Sequence, residues 1–166
     1  MGHSKKLSTS EFESFQKILE KEYGLPLGPE RSEKLSDIIH QRMQACRVGS
    51  IPDYYAYLTG VQSQPELKHL IEHITIGETY FFRNPAQMEV LRKHVLPEAL
   101  RACAENKRDL RIWSAGCATG EEVYTLTILI LELFPDKNVS FSILGTDVNS
   151  SFLKIAGRRV RHWGDV

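Results

Sequence analysis

The sequence predicts an α/β protein in which a small N-terminal helical bundle precedes the start of a Rossmann-like domain with a parallel sheet. Up to about residue 77, four amphipathic helical stripes alternate with glycine and proline. After residue 108, two β-type runs, LRIWSA and VSFSILGTD, flank a helix-length apolar segment. Strand, helix and strand in this order indicate a βαβ unit with parallel strands and a right-handed crossover. The predicted domains are a helical domain 1–77, a linking segment and helix 78–108, and a partial cofactor-binding domain 109–166.

Composition narrows the class of protein before any motif is considered. The 166 residues include 21 basic and 21 acidic side chains, a balance that disfavours nucleic-acid binding. The three cysteines, Cys46, Cys103 and Cys117, lack the paired spacing of a zinc ribbon and predict free thiols in a reducing cytoplasm. No apolar run approaches the roughly 20 residues of a membrane span, so we expect no membrane insertion.

The predicted bundle helices have identifiable ends. The first helix begins at a possible capping box of Ser10 and Glu13, and the second ends at Gly49. The fourth helix begins at a second possible box, Ser63 and Glu66. Apolar residues recur at helical spacing and are expected to form the core: Phe12, Phe15, Ile18, Leu19, Leu35, Ile38, Ile39, Met43, Cys46, Leu67, Leu70, Ile71 and Ile74.

The loop SAGCATGEE follows the first predicted strand and carries the most specific chemistry of the chain. Gly116 and Gly120 are separated by three residues, so the loop matches neither the G-x-G-x-x-G dinucleotide fingerprint nor a Walker loop. Glu121 and Glu122 follow at the helix start, where their charge would repel a phosphate. The loop therefore favours a ligand that lacks phosphate or carries positive charge.

Asp147 ends the second predicted strand, beside this loop. A carboxylate there can accept both ribose hydroxyls of an adenosine. Together with the acidic helix start, it suits S-adenosylmethionine, whose sulfonium and amino groups are cationic. On residue types alone the alternative stays open that the glycines only make a tight turn, the two acids satisfy the helix dipole and Asp147 caps the next helix.

Three segments together resemble one family. ITIGETYFFRNPAQMEVL, LRIWSAGCATGEEVYTLTILI and ILGTDVNSSFLKIA, in this order behind a helical domain, closely resemble the chemotaxis receptor methyltransferases of the CheR family. The resemblance implies methyl transfer from S-adenosyl-L-methionine to glutamate side chains on the cytoplasmic part of membrane chemoreceptors. The products would be glutamyl methyl esters and S-adenosyl-L-homocysteine.

The resemblance also implies roles for individual residues. Thr79 and Arg83 of ETYFFR would contact the methionine end of the cofactor and the reacting centre, with Arg83 as the catalytic residue that orients the substrate carboxylate. Glu122 would bind the methionine amino group and Asp147 the ribose, beside the loop glycines. The neighbouring aromatics Phe81 and Phe82 are expected to pack. The residues expected at the cofactor are Thr79, Arg83, Gly116, Gly120, Glu122 and Asp147.

A basic face on the second helix resembles the surface with which the family is thought to meet acidic receptor helices. Its candidates are Arg31, Lys34, Arg42 and Arg47. Glu33 and Asp37 dilute this charge, so an ordinary solvated face remains the alternative.

Two departures from the family bear on these expectations. Gly77 stands where the family usually has an asparagine, so one cofactor contact would be missing. Only two strands are predicted before Val166, whereas the family continues with five more, so we expect a truncated or interrupted chain. Exposed strand edges and apolar faces would then favour self-association or a domain-swapped dimer, and activity of the chain alone would be weak.

Other interpretations stay open. A helical receptor- or partner-binding module with a vestigial methyltransferase start would explain the short sheet without catalysis. The segment HLIEH places His69, Glu72 and His73 in the H-x-x-E-H pattern of inverted zincins, but no third ligand is evident downstream, so a zinc hydrolase is remote and no metal is expected. A dinucleotide-binding unit is disfavoured by the missing middle glycine.

Overall fold

The computed structural model describes residues 6–61, 63–135 and 139–160, without the side chains of residues 159 and 160. The chain divides into two compact units, Met1–Ile76 and Gly77–Val166. The first unit contains α1 (Thr9–Tyr23), α2 (Ser32–Cys46), α3 (Ile51–Thr59) and α4 (Gln64–Ile74). The second contains α5 (Pro85–Val90), α6 (Leu96–Glu105), β1 (Leu110–Ala115), α7 (Glu121–Leu133), β2 (Phe141–Thr146) and α8 (Ser150–Val160).

The first helix begins two residues earlier than its predicted capping box. Ser8 is the N-cap, because its side chain accepts from the Glu11 N–H while the Glu11 carboxylate accepts from the Ser8 N–H. The prediction of Ser10 and Glu13 is therefore wrong, although both boxes have the same spacing. The helix ends at Gly24, which adopts the left-handed conformation with φ of 63°.

Two other predicted helix signals differ from the structure. Helix α2 ends at Cys46 with the left-handed residue Arg47, and not at Gly49. Ser63 is the N-cap of α4, so the predicted start of this helix is confirmed, but the capping box is not formed. The Ser63 side chain makes no cap hydrogen bond, and the Glu66 carboxylate accepts from Arg42 of α2 instead.

The bundle has one continuous core. The apolar stripes of its helices are buried as predicted, with Cys46 only partly buried at the edge. Tyr54 and Leu58 add the contribution of the short helix α3. At about 25 cal/mol per Å² of apolar surface, burial of these side chains is the main stabilising term of the unit.

A π-helical turn, Leu91–Val95, joins α5 to α6. The preceding loop ends at Asn84, a left-handed residue with φ of 57°, and Pro85 occupies the first turn of α5. Pro97 lies in the first turn of α6, directly after the π-helical turn, and lacks the N–H that would continue the helical ladder. The chain is nevertheless helical from residue 85 to residue 105, so Pro97 does not end the helix.

Strands β1 and β2 pair in parallel, which confirms the predicted βαβ unit. The register runs from Leu110 opposite Phe141 to Ala115 opposite Thr146. One sheet face packs with Leu129 and Ile130 of α7 into the core of the second unit. The other face is open, and its cross-strand pair Trp113 and Leu144 is 69% and 63% exposed.

None of the described helices combines the length and the apolar character that spanning a bilayer would require.

Candidate functional site

The loop between β1 and α7 has an unusual backbone. Gly116, Ala118 and Gly120 all have positive φ, at 79°, 46° and 98°. The N–H groups of Gly116 and Cys117 donate to the Thr146 carbonyl at 2.7 and 2.9 Å, which fixes the loop to the end of β2. A Cβ on Gly120 would lie only 3.1 Å from the Ala156 Cβ, so both its conformation and its surroundings favour glycine.

Gly145 allows this loop to pack against β2, a role that the sequence analysis missed. A Cβ at this position would lie 3.0 Å from the Cys117 sulfur and from a methyl carbon of Val123. Burial, with a smaller effect of the Asp147 charge, raises the pKa of the Cys117 thiol. The thiol is therefore neutral near pH 7 and serves as a buried packing group.

Asp147 lies beside the loop, as its position at the end of β2 predicts. Its Oδ2 accepts from the Ala118 N–H at 2.9 Å and its Oδ1 from the Asn149 N–H at 2.8 Å. The cap of α8 belongs to Asn149, whose side-chain oxygen accepts from the N–H groups of Ser151 and Phe152. Since each carboxylate oxygen has a second lone pair, Asp147 can hold the loop and still accept hydroxyl groups.

The two acids after Gly120 differ in surroundings. Glu121 is buried, and its Oε2 lies 2.6 Å from the Thr119 hydroxyl. Glu122 is exposed, and its Oε1 accepts from the buried Ser114 hydroxyl at 2.7 Å. Ser114 was missed by the sequence analysis, although a serine facing the core of a β-run is a visible signal. Its hydrogen bond orients Glu122 and leaves Oε2 of that carboxylate available to a ligand.

The segment ETYFFR reaches the first turns of α7. The Phe82 N–H donates to the Thr125 hydroxyl at 3.1 Å, and the Arg83 N–H closes a turn on the Tyr80 carbonyl at 3.3 Å. Arg83 is exposed and Thr79 is half-buried. The structure thus brings the loop of Arg83 close to the helix that carries Glu122.

Phe81 and Phe82 do not pack as predicted. Their side chains are 48% and 39% exposed in the structure. The backbone of Phe82 has φ of 57°, and its partly exposed ring lines a shallow groove with Met88 and Leu129. The hydrogen bond to α7 is made by the peptide N–H, so the apolar character of the two rings gave no information on it.

Gly77, which the sequence analysis noted as a departure from the resemblance, has little room for a side chain. A Cβ built on Gly77 would lie 2.3 Å from the end of the Phe152 ring on α8. A side chain at this position would require the ring to rotate. The aromatic ring therefore occupies the space in which a side chain at position 77 would begin.

The basic residues of the first unit separate into two groups. Arg42 is directed into the bundle, where its guanidinium makes paired hydrogen bonds of 2.9 and 2.6 Å with the Glu66 carboxylate. The Tyr54 hydroxyl donates to the same carboxylate at 2.7 Å. Arg42 is thus removed from the predicted receptor-facing set, because a buried carboxylate already holds it. Lys34 and Arg47 are exposed, and Arg31 is half-buried.

The charges of this buried network support each other. Burial acts to raise the pKa of Glu66, but hydrogen bonds from Arg42, Tyr54 and Cys46 outweigh it and hold the pKa below its ordinary value of 4.5. Burial and the hydrogen bond to Glu66 raise the pKa of Tyr54. Glu66 is therefore ionised and Tyr54 protonated near neutral pH.

The two histidines of the HLIEH segment lie on the exposed side of α4. His73 Nδ1 lies 2.8 Å from the His69 carbonyl of its own helix, and His69 Nδ1 lies 3.6 Å from a Glu72 oxygen. Within the described ranges 6–61, 63–135 and 139–160, no group of three metal-ligating side chains forms a candidate site. The remote zinc interpretation gains no third ligand there.

Comparison with known proteins matches both parts of the chain to one family. Residues 10–75 match the family described as "CheR methyltransferase, all-alpha domain". Residues 77–161 match "CheR methyltransferase, SAM binding domain", where SAM is S-adenosylmethionine.

Curated relatives agree with this match. Chemotaxis protein methyltransferase 2 of Vibrio cholerae is 33% identical over 121 residues, which cover 72% of this chain and 41% of the relative. Chemotaxis protein methyltransferase 1 of Pseudomonas aeruginosa is 30% identical over 90% of this chain and 55% of its own. The protein of Borreliella burgdorferi is 27% identical over 90% and 54%. The chain spans about half the length of these relatives, and it belongs to the CheR methyltransferase family.

Proposed function

We propose that this chain binds S-adenosylmethionine beside the carboxyl ends of β1 and β2, as part of an enzyme that methylates glutamate side chains of chemoreceptors. The observation that carries the proposal is the pair of carboxylates, Asp147 and the exposed Glu122, on either side of a glycine loop. No lysine or arginine lies between residues 116 and 122. The charge at this edge suits a cationic ligand.

The residues present fit the cofactor. Nothing lies within 4 Å of a Cβ built on Gly116, so the loop has open space on that side. Glu122 retains an oxygen for an ammonium group, and the Asp147 oxygens retain lone pairs for ribose hydroxyls. A phosphate-bearing dinucleotide would meet two acids at the start of α7, where it needs unopposed donors.

The proposed role of each residue follows from its position. When bound, S-adenosylmethionine supplies an electrophilic methyl group on a sulfonium sulfur. Glu122 would hold the amino group, Asp147 the ribose, and Thr79 the methionine end. Arg83 would orient the incoming carboxylate through its planar fork of donors.

The reaction asks the protein for alignment more than for proton transfer. A glutamate side chain is ionised near neutral pH, so a general base is unnecessary. The main contribution of the chain would be to hold the carboxylate oxygen in line with the reacting carbon. The alignment would therefore depend mainly on the loop that carries Arg83.

The partner would be the cytoplasmic part of a membrane chemoreceptor, and the chain would act in the cytoplasm. Exposed Lys34 and Arg47, with half-buried Arg31, are the basic residues of the first unit that we propose for an acidic receptor helix. Arg42 is left out of this set, because its guanidinium is already held by Glu66.

Calorimetric titration with S-adenosylhomocysteine, the expected product, tests the cofactor site. We expect binding by the wild-type chain and at least about tenfold weaker binding by Glu122→Gln, since a charge-assisted hydrogen bond is lost. Glu132→Gln is the matched control, because Glu132 is an exposed acid near the far end of the same helix. Equal affinities for the two variants would count against the assignment of Glu122.

A non-catalytic, partner-binding module remains the second candidate, and the open sheet face favours it. Trp113 and Leu144 form an exposed apolar pair, a feature typical of surfaces that bind another protein. Absence of heat with S-adenosylhomocysteine, combined with binding to a receptor cytoplasmic fragment, would support this candidate. Transfer of methyl groups to receptor glutamates would exclude it.

A further inference from the structure

We infer that Thr125 is a positioning residue whose buried hydroxyl holds the loop of Arg83 against α7. Thr125 is 1% exposed, and its Oγ1 accepts from the Phe82 N–H at 3.1 Å. The same hydroxyl donates to the Glu121 carbonyl at 2.7 Å. One side chain therefore connects the ETYFFR loop to the helical turn that begins with the two acids.

The donor and acceptor roles of this hydroxyl are fixed by its neighbours. A peptide N–H can only donate and a peptide carbonyl can only accept, so the Thr125 proton must point to Glu121 and a lone pair to Phe82. Valine has nearly the same shape but can do neither. The hydroxyl, and not the volume of the side chain, makes the link to the loop.

The loop needs such an anchor because its backbone is strained. Phe82 and Asn84 both have φ of 57°, a conformation that non-glycine residues adopt at a cost and that persists where surrounding contacts fix it. The Phe82 ring is 39% exposed and lines a shallow groove with Met88 and Leu129, a contact that leaves the peptide N–H to be bonded separately. The hydrogen bond from this N–H to Thr125 is a long-range contact that holds the Phe82 backbone itself.

The consequence for the site rests on the proposed function. Arg83 follows Phe82 directly, so the position of Phe82 sets where the guanidinium can reach. Loss of the anchor would let the loop relax and would weaken alignment at the cofactor. Thr125 would act through Phe82 and Arg83 without touching the ligand.

Three variants separate this role from ordinary helix packing. Thr125→Val removes both hydrogen bonds and keeps the shape, whereas Thr125→Ser keeps the hydroxyl. Thr127→Val is the matched control, because the Thr127 hydroxyl donates to the Val123 carbonyl at 2.9 Å, four residues back in the same helix, and the structure shows it no bond to the loop. Should Thr125→Val fail to fold, Thr125→Ala against Thr127→Ala repeats the comparison with smaller side chains.

The first measurement is amide hydrogen exchange of Phe82 in the cofactor-free chain. We expect exchange about fivefold to tenfold faster in Thr125→Val, matching the loss of one ordinary hydrogen bond, with wild-type exchange in Thr125→Ser and Thr127→Val. Unchanged exchange in Thr125→Val would overturn the anchor. This readout does not depend on cofactor binding.

The second measurement is the dissociation constant of S-adenosylhomocysteine for the same variants. We expect a rise of about fivefold or more in Thr125→Val and recovery in Thr125→Ser. If the wild-type chain binds and Thr125→Val binds equally well, the positioning role in the site is wrong. If the wild-type chain does not bind, the proposed function fails, and the exchange rates alone decide whether Thr125 anchors the loop.

Discussion

The two units use their polar side chains for different purposes. In the bundle, Glu66 is buried and held by Arg42 and Tyr54, so the charged group connects α2, α3 and α4. In the second unit, each oxygen of Asp147 and Oε1 of Glu122 accept one hydrogen bond. Both carboxylates can therefore accept further hydrogen bonds from a ligand. A charged residue therefore indicates a ligand site only where the surrounding structure leaves part of its hydrogen-bonding capacity unused.

The two units also differ in how completely they cover their apolar surfaces. The bundle buries its apolar stripes in one core, whereas the sheet of the second unit covers one face and exposes Trp113 and Leu144 on the other. A change in the bundle should therefore alter stability, and a change on the open sheet face should alter association.

The largest effect is expected from breaking the buried pair in the bundle. Glu66→Gln should cost up to about 3–5 kcal/mol of unfolding free energy, because Arg42, whose side chain is 15% exposed, would lose its counter-charge. Urea unfolding followed by amide exchange in α2 and α4 measures this cost. Glu33→Gln is the control, since the Lys6–Glu33 pair is exposed and should contribute little. Equal losses in both variants would contradict the distinction between the two pairs.

The next largest effect is expected in the glycine loop. Gly120→Ala should cost about 1–3 kcal/mol in the second unit, because residue 120 has φ of 98° and the new methyl group would meet Ala156. Amide exchange in β1 and β2 reports the cost, and cofactor affinity should fall with it. Gly157→Ala provides the control: its Cβ would meet nothing within 4 Å, and alanine should stabilise α8 by about 0.5–1 kcal/mol.

Low pH should lower the stability of the bundle by protonating Glu66, the carboxylate that Glu66→Gln removes. The pKa of Glu66 is lowered on folding, so the unfolded chain binds the proton more readily and stability falls as pH drops below about 4.5. The loss should be smaller than in Glu66→Gln, since part of the ionised population remains. Unfolding curves between pH 6 and pH 3, an interval of about 3 units around the ordinary pKa, measure it. Glu66→Gln should show a shallower dependence, since the exposed Glu33 beside Lys6 also has a lowered pKa; if the variant keeps the wild-type slope, Glu66 is not responsible.

The smallest effect on stability is expected on the open sheet face. Leu144→Lys should change the unfolding free energy by less than about 0.5 kcal/mol, because the side chain is mostly exposed. It should reduce self-association, which we expect of the wild-type chain through this face. Light scattering at increasing concentration measures the association, and urea unfolding measures the stability. Ile143→Lys faces the covered side and should destabilise strongly. A wild-type chain that stays monomeric at high concentration would contradict the association.

Much of the fold follows from local patterns. Apolar spacing predicts the bundle helices and the βαβ unit, and the glycines with the following acids mark the loop, since each signal lies within a few residues. Helix ends were less predictable: Ser8 and Arg47 compete with equally plausible neighbours, and small energy differences decide between them.

Long-range partners could not be predicted. Arg42 and Glu66 are 24 residues apart, and Thr125 and Phe82 are 43 apart. Each residue has an ordinary local explanation, as a basic surface residue, a capping acid, a helical threonine or a packing aromatic. Only the tertiary arrangement reveals that they are partners, because the patterns of two separate segments carry no information on which side chains meet.

The π-helical turn at 91–95 gives the second unit tolerance to a change in length. Met88 and Leu96 are both buried in the same core, although eight residues of regular α-helix would place them about 80° apart around the axis. The wider turn absorbs this angle, as if one residue had been inserted into an older, regular helix. We expect that deleting one residue from this turn would be a milder event than deleting one from α6, because it would leave a regular α-helix.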